Sequence, residues 1–376
     1  MGSVNSTRDF SFVMVGRVVS AGLQALFYLI FAVLLQPEAY GHLSYLIAIA
    51  GTVSTVSRFG LNHTATVYQA KGETLMSSQV NSLAIITTTA ASLLLLLVDP
   101  NVALLCFSMS LFLMNIHNLT GLKKYKKYMG IDITKGILIV TLPIALYFVF
   151  EIPGILLGSS ISYLVCSPHF FKFLRFKDSF DVIKKNHKVL AHNFGVDMST
   201  NATRFVDKLL IVPIMGFAYT GIYQLNLQIL SGLEMLPLAL HSFLLSEESS
   251  GKSQKKISAV VVAASIAISA VVIVLAPFAI GKLFPQYQEG TYSFQILVVS
   301  IVPLTVGAIL TAKLQALGST RVGFLAVVRI GSLLVLLGVL GNTFGLTGLS
   351  VAVLASSVIS TVFLYMLYMK NKVPKQ

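Results

Sequence analysis

The sequence is short of charge, has no tryptophan and only two cysteines, and contains no polar stretch long enough to make a domain. Charged residues are 11% of the 376, against about 25% in an average soluble domain. With 55% hydrophobic residues, the chain lacks the polar side chains to cover its own surface in water, so a soluble fold is excluded. Cys106 and Cys166 both sit in apolar runs, which predicts buried thiols and no disulfide framework. Without tryptophan, tyrosine must supply most of any interfacial belt. No metal-ligand cluster, phosphate-cradling glycine loop or nucleophile elbow is present. No catalytic residue, metal site or cofactor is therefore expected. The longest polar segment, 175–189, is too short for the catalytic domain of a membrane glycosyltransferase, glycan polymerase or ligase.

What is present is a series of apolar runs. A bilayer core about 30 Å thick takes roughly 20 apolar residues in a helix. Twelve such spans are predicted, at 10–35, 41–59, 79–98, 101–121, 131–150, 153–174, 190–214, 217–244, 257–280, 291–314, 322–341 and 345–369. Helices are the remaining option, because the runs lack the short alternation of barrel strands. The first run is too long for a signal peptide and ends in Leu35-Gln36-Pro37-Glu38 with no small-residue cleavage site, so it is expected to remain.

The net charge of +13 is an orientation signal. On one side of the expected membrane, the connections and span ends hold 21 basic residues, including Lys123, Lys124, Lys126 and Lys127. The other side holds Lys282 beside Glu38, Asp99, Glu151 and Glu289. The positive-inside rule then places both termini in the cytoplasm of a multi-pass cell-membrane protein. No motif beside these charges would read a nucleic acid, so none is expected as a partner. The sequons at Asn5, Asn62, Asn118 and Asn201 are cytosolic or within spans on this topology and predict no glycan.

The chain also reads as duplicated. Leu34-Leu35-Gln36-Pro37-Glu38-Ala39-Tyr40-Gly41 and, 180 residues later, Ile214-Met215-Gly216-Phe217-Ala218-Tyr219-Thr220-Gly221 stand at the same helix-to-helix junction. The expected architecture is all-α, with two six-helix lobes, 1–180 and 181–376, as parallel pseudo-repeats.

Ionised side chains in a span cost about 2.5–3.5 kcal/mol at the bilayer centre, so polar stripes mark faces turned to water or to another helix. One stripe is Arg17, Ser20, Gln24 and Tyr28. A second is Asn193, Asp197, Asn201, Arg204 and Lys208, and a third is Gln224, Gln228, Ser231, Glu234 and His241. The first two open the two halves. One reading is a hydrated cavity in which Arg17, Arg204 and Lys208 attract an anion, since arginine's planar fork suits phosphate. The other is interhelical pairing, such as Arg204 with Asp207. Asp197, Asp207 and Glu234 are candidates for a coupling proton or sodium ion, or partners for the cations. Arg58 and Lys135, near the expected interface, read as snorkelling side chains, and His241 as a packing hydrogen-bonder.

Gly16-Arg17, the junction at Leu34–Gly41, Arg58-Phe59-Gly60-Leu61, Asp207-Lys208-Leu209-Leu210-Ile211, Gly221-Ile222-Tyr223, Leu283-Phe284, Leu317-Gly318 and Gly345-Leu346-Thr347-Gly348 carry a resemblance over essentially the whole chain. The chain resembles the polysaccharide-transporter family, the Wzx-type O-antigen flippases of lipid-linked oligosaccharides, in the multidrug/oligosaccharidyl-lipid/polysaccharide exporter superfamily. Gln36 departs from the glycine usual there. The resemblance implies a V-shaped pair of six-helix lobes working by alternating access. It implies a polyprenyl phosphate- or pyrophosphate-linked glycan as substrate, with membrane lipid and other glycan-assembly membrane proteins as partners. Arg17, Gln24, Tyr28, Asn201, Arg204, Lys208, Gln224 and Gln228 are the expected substrate contacts. The alternatives are an ion-coupled exporter of small molecules or drugs, for which carboxylates and aromatics should dominate the cavity, and a scaffold without a cavity.

Overall fold

A computed structural model describes residues 2–175, 184, 187–235, 237, 240, 241, 244, 254–317, 319 and 323–372. Within its helices the side chains of residues 2–10, 188, 189, 192, 196, 199–204, 326, 371 and 372 lie outside the described set. Every regular element among the described residues is helical, as lipid demands of a backbone that must satisfy its own hydrogen bonds.

In order come α1 (Gly2–Leu34), α2 (Pro37–Arg58), α3 (Leu61–Ala70), α4 (Thr74–Leu95), α5 (Pro100–Gly121) and α6 (Tyr125–Val165), then a 3-10 turn over Pro168–Phe173. After it follow α7 (His187–Leu233), α8 (Lys255–Leu283), a second 3-10 turn over Pro285–Gly290, α9 (Thr291–Val298), α10 (Ile301–Ala316) and α11 (Leu325–Lys372). By length and composition, eight helical stretches of the described residues are long and apolar enough to cross a membrane. Three of these contain a break, at Glu151 in α6, Gly216 in α7 and Gly345 in α11, each with positive φ.

The chain doubles back at these breaks. In α6 the Lys135 ammonium lies 5.9 Å from the centre of the Tyr163 ring on the other arm. In α11 Ser332 Oγ and Ser356 Oγ are 2.9 Å apart, and Ser356 donates to the Arg329 carbonyl at 3.0 Å. In α7 the Asp207 carboxylate lies near enough to the Tyr223 hydroxyl, on the other arm, to act on it electrostatically. The short loops expected between those spans are thus single-residue reversals.

Two expectations are corrected. The sixth span was expected to reach 174 but ends at Val165. Asn115 there takes the Cys166 carbonyl at 2.9 Å, and Pro168, lacking an N–H, opens the turn. Residues 61–70, expected as a connection, form α3, which buries Leu61, Ala65 and Tyr68 in a cluster with Met76, Val80, Leu111, Met114 and Phe170. The span expected at 291–314 lies within the single helical stretch Pro285–Ala316 that is long and apolar enough to cross a membrane, interrupted at Val299 and Ser300 between α9 and α10.

The chain groups into two compact units, residues 1–30 with 46–206, and residues 31–45 with 207–376. The division expected at 180/181 falls outside the described residues. In the first unit α5 packs against α3, α4 and α6. Its start is dictated locally: Asp99 Oδ1 accepts from the backbone N–H groups of Asn101 at 2.7 Å and Val102 at 3.1 Å, and Pro100 fills the first turn. A cap of this kind contributes about 1 kcal/mol.

In the second unit two helical turns cross at glycine. A Cβ on Gly41 would lie 1.8 Å from the Phe217 carbonyl oxygen, and one on Gly221 1.9 Å from the Pro37 carbonyl oxygen. The contact is reciprocal. Positions 37 and 41 meet positions 217 and 221, their counterparts 180 residues on, as the two faces of an isologous interface do. Only glycine lets the two backbones touch here. Nearby, Gln286 Nε2 donates to the carbonyls of Ala32, Val33 and Leu35 at 3.2, 3.2 and 3.1 Å, and the Tyr287 hydroxyl donates to Leu35 at 3.1 Å. These bonds satisfy carbonyls that the end of α1 leaves without helical partners.

Candidate functional site

The chemistry-bearing residues of the first unit fall into two sets. The first lies where α1 packs on the first arm of α6. Ser20 Oγ donates to Asp132 Oδ1 at 3.0 Å and accepts from Lys135 Nζ at 2.9 Å, with Lys135 Nζ 3.8 Å from Asp132. Lys135 also lies over the rings of Phe112 and Tyr163 at 5.6 and 5.9 Å. One turn before Ser20, Arg17 has an exposed side chain whose Nε donates to the Tyr128 hydroxyl at 3.4 Å. Two cations and one carboxylate thus share this region.

The second set surrounds the elbow between α2 and α3. Phe59 and Gly60 have φ of 48° and 70°, which ends α2 and redirects the chain. A Cβ on Gly60 would meet Phe194 N at 2.3 Å, so α7 crosses directly over the elbow. Beside it Asn193 Nδ2 donates to Thr64 Oγ1 at 2.7 Å, and the Phe59 and Phe194 rings sit 5.6 Å apart. Asp197, one turn further along α7, is fully buried. Its Oδ2 lies 3.6 Å from Arg58 Nη2, while its Oδ1 accepts from Asn62 Nδ2 at 3.1 Å and lies 3.6 Å from His63 Nε2. Arg58 Nη1 donates to Ser54 Oγ and, at 3.5 Å, to Ser110 Oγ.

His117 closes the network. Its Nε2 lies 3.4 Å from Asn62 Nδ2, its Nδ1 2.9 Å from Thr66 Oγ1, and its ring 5.0 Å from that of His63. Because the Asn62 amide is a donor, the bonding assigns acceptor Nε2 and protonated Nδ1 to His117. Among the described residues Arg58 Nε and Asn62 Oδ1 have no partner. An unmet buried polar atom costs about 1–3 kcal/mol.

Arg58 and Lys135 therefore do not snorkel. Arg58 is among the largest fully buried side chains, held by a carboxylate that a sequence pattern could not pair with it. His63 and His117, on different helices, could not be paired from sequence either, whereas Asp132 and Lys135 stand at i,i+3 on α6 and were open to pairing by spacing. A signal existed for part of the second set, since Asn62, Thr66 and Gln69 recur at helical spacing just beyond Arg58.

The other expected site residues are placed as follows. Gln24 and Tyr28 are half-buried in the first unit, with Tyr28 edge-on to Phe27 at 5.1 Å. The side chains of Asn201 and Arg204 lie outside the described residues. In the second unit Lys208 Nζ contacts Asp207 Oδ1 at 2.9 Å and Oδ2 at 3.2 Å, and both residues are buried. Gln224 is buried, while Gln228 is half-buried and donates to Ser231 Oγ at 3.4 Å. Glu234 is half-buried at the end of α7. His241 Nε2 lies 3.0 Å from Gln315 Oε1, the packing contact expected of it. Arg329, a lone cation within the eleventh expected span to which the sequence assigns no role, has an exposed side chain. No group of three or more metal-ligating side chains occurs among the described residues.

No protein-family model matches the chain. It is 24% identical to an uncharacterized membrane protein of Methanocaldococcus jannaschii over 397 aligned residues, covering 93% of this chain and 95% of that protein. Among solved structures, it is similar to a multidrug resistance MATE family transporter of the MOP superfamily, with a TM-score of 0.74, 13% identity, and 97% of this chain and 100% of that one covered. It is also similar to the lipid II flippase MurJ, with a TM-score of 0.72, 14% identity, and coverage of 96% and 88%. A MOP superfamily transporter from Pyrococcus furiosus, described as having a binding pocket of reverse polarity, aligns at a TM-score of 0.58 and 14% identity over 98% and 96% of the two chains. This chain has the all-helical fold of the MOP-superfamily transporters.

Proposed function

We propose that the chain is a flippase that moves a lipid-linked glycan, joined through phosphate or pyrophosphate, across the cell membrane by alternating access. The observation that carries this reading is the excess of positive charge around Arg17. Lys135 is matched by Asp132, whereas the exposed Arg17 has a phenol, Tyr128, as its partner among the described residues. A guanidinium retained in a span with no carboxylate at ion-pair distance among the described residues is suited to an anionic headgroup, to which it can donate two parallel bonds. Gln24 and Tyr28, further along the same helix, would take glycan hydroxyls. Lys208 is already paired with Asp207 and offers a phosphate less than Arg17 does. The fold shared with MurJ, a lipid II flippase, is compatible with such a substrate.

Reconstitution in proteoliposomes with a polyprenyl-pyrophosphate oligosaccharide, followed by a leaflet-sidedness assay, tests this. Arg17→Ala should abolish translocation with insertion intact, and Lys124→Ala should leave it unchanged. Full translocation by Arg17→Ala would overturn the reading. A second reading, an ion-coupled exporter of small molecules, is favoured by the buried Asp197 carboxylate and by the fold shared with MATE transporters. It predicts drug efflux lost in Asp197→Asn and retained in Arg17→Ala.

A further inference from the structure

We propose that His63 is a proton-binding site that sets how tightly α7 is held on the α2–α3 elbow of the first unit. The contacts that make that hold include the backbone of α7 over Gly60, the Asn193–Thr64 bond, the Phe59–Phe194 rings, Leu190 against the α3 cluster, Phe205 against Gly51, and Asp197 with its partners. Asparagine, threonine and phenylalanine do not titrate, and arginine stays charged. Imidazole is the side chain that ordinarily changes charge between pH 5 and 8. Of the described Asp197 partners, His63 combines that chemistry with a route to water: its side chain is 32% exposed, against 0% for Asp197.

The geometry gives the sign. Arg58 approaches Oδ2 of Asp197, and His63 approaches Oδ1. With His63 neutral, Arg58 is the cation among the described residues that holds the carboxylate. With His63 protonated, the carboxylate is clamped between two cations, one on each oxygen, and α7 is held more tightly. Lifting α7 would leave the imidazolium without its counterion, so undocking and proton release are coupled.

Among the described residues, the other charged and titratable groups around the pair are His117 on α5, whose ring packs on His63, and Cys106 on α5 and Arg17 on α1, which act electrostatically on Arg58 and His117. Of these, a proton on His117 would cost the Asn62 bond to its Nε2, and the Cys106 thiol is buried. On the transporter reading above, the proton becomes the coupling ion. The site itself stands on contacts that do not depend on that reading.

The test needs no substrate. Thr64 is fully buried beneath Asn193, and the native Cys106 and Cys166 are both buried, so the thiol of a Thr64→Cys variant reports α7 lifting. Its maleimide labelling rate in detergent would be measured from pH 5.5 to 8 and normalised to an unstructured thiol. The corrected rate should fall about five- to tenfold on acidification, and the fall should vanish when His63→Gln is added. A flat profile in Thr64→Cys, or an unchanged profile with His63→Gln, would overturn the proposal. Should Thr64→Cys misfold, hydrogen exchange of residues 61–70 in the natural chain and in His63→Gln reads the same difference. Failure of glycan translocation would sink the flippase reading and leave this result standing.

Discussion

Two acid–base pairs on one helix separate what a chain does locally from what its fold does. Asp207 and Lys208 are neighbours in sequence and meet within 2.9 Å in the second unit. Asp197, ten residues earlier, meets Arg58, Asn62 and His63 from the far side of the first unit, the Asn62 contact spanning 135 residues. The first pair can form wherever α7 goes. The second forms only when α7 lies across the α2–α3 elbow, so it is the one whose energy depends on tertiary arrangement. A charge pair that reports position is better suited to a transport cycle than one that follows its own helix everywhere.

The sharpest way to break this comparison is to neutralise each acid. Asp197→Asn strands Arg58 in a fully buried site and should cost about 3–5 kcal/mol, read as a large drop in the denaturation midpoint in detergent. Asp207→Asn should cost less, about 1–3 kcal/mol, because the flexible lysine stem can carry its ammonium towards water. Equal losses would remove the distinction.

Next in size, Gly41→Ala and Gly221→Ala should each destabilise by about 1–3 kcal/mol through backbone overlap, and by similar amounts because the crossing is reciprocal. Unequal effects would show that only one of the two crossings bears the contact. Exchanging the local pair, as Asp207→Lys with Lys208→Asp, should change stability by less than about 1 kcal/mol. The same exchange of Arg58 and Asp197 should not be tolerated, because guanidinium and carboxylate differ in reach and in the hydrogen bonds they make. The smallest effect belongs to Gly22→Ala, where nothing lies within 4 Å of the added Cβ. Helix propensity predicts a change of at most about 1 kcal/mol, towards greater stability.

Several parts of this molecule were legible as sequence because they are periodic or local. Apolar runs of bilayer length predict helices whatever packs beside them, and Asp99-Pro100 marks the start of α5 by a cap its own neighbours complete. Gly41 and Gly221 stood out as matching junctions, although only the fold shows why each must be glycine. The reversals at Glu151, Gly216 and Gly345 looked like short loops because a single left-handed residue leaves no compositional trace.

The site was less legible. Arg17 was visible as a charge in a span, and its exposure agrees with a role outside the packed core. Arg58 and Lys135 looked like interfacial snorkels, because their burial comes from groups distant in sequence: Asp197 on α7 for Arg58, and Ser20 on α1 with the Phe112 and Tyr163 rings for Lys135.

Composition and periodicity alone determined that the chain is all-helical and suited to lipid, since those properties are summed residue by residue along each helix. The tertiary structure alone decided which charges are paired, which are exposed, and that two histidines share a network with Asp197. Coulomb and hydrogen-bond energies depend on separation in space, and residues 58, 63, 117 and 197 acquire a common location only when α2, α3, α5 and α7 pack together.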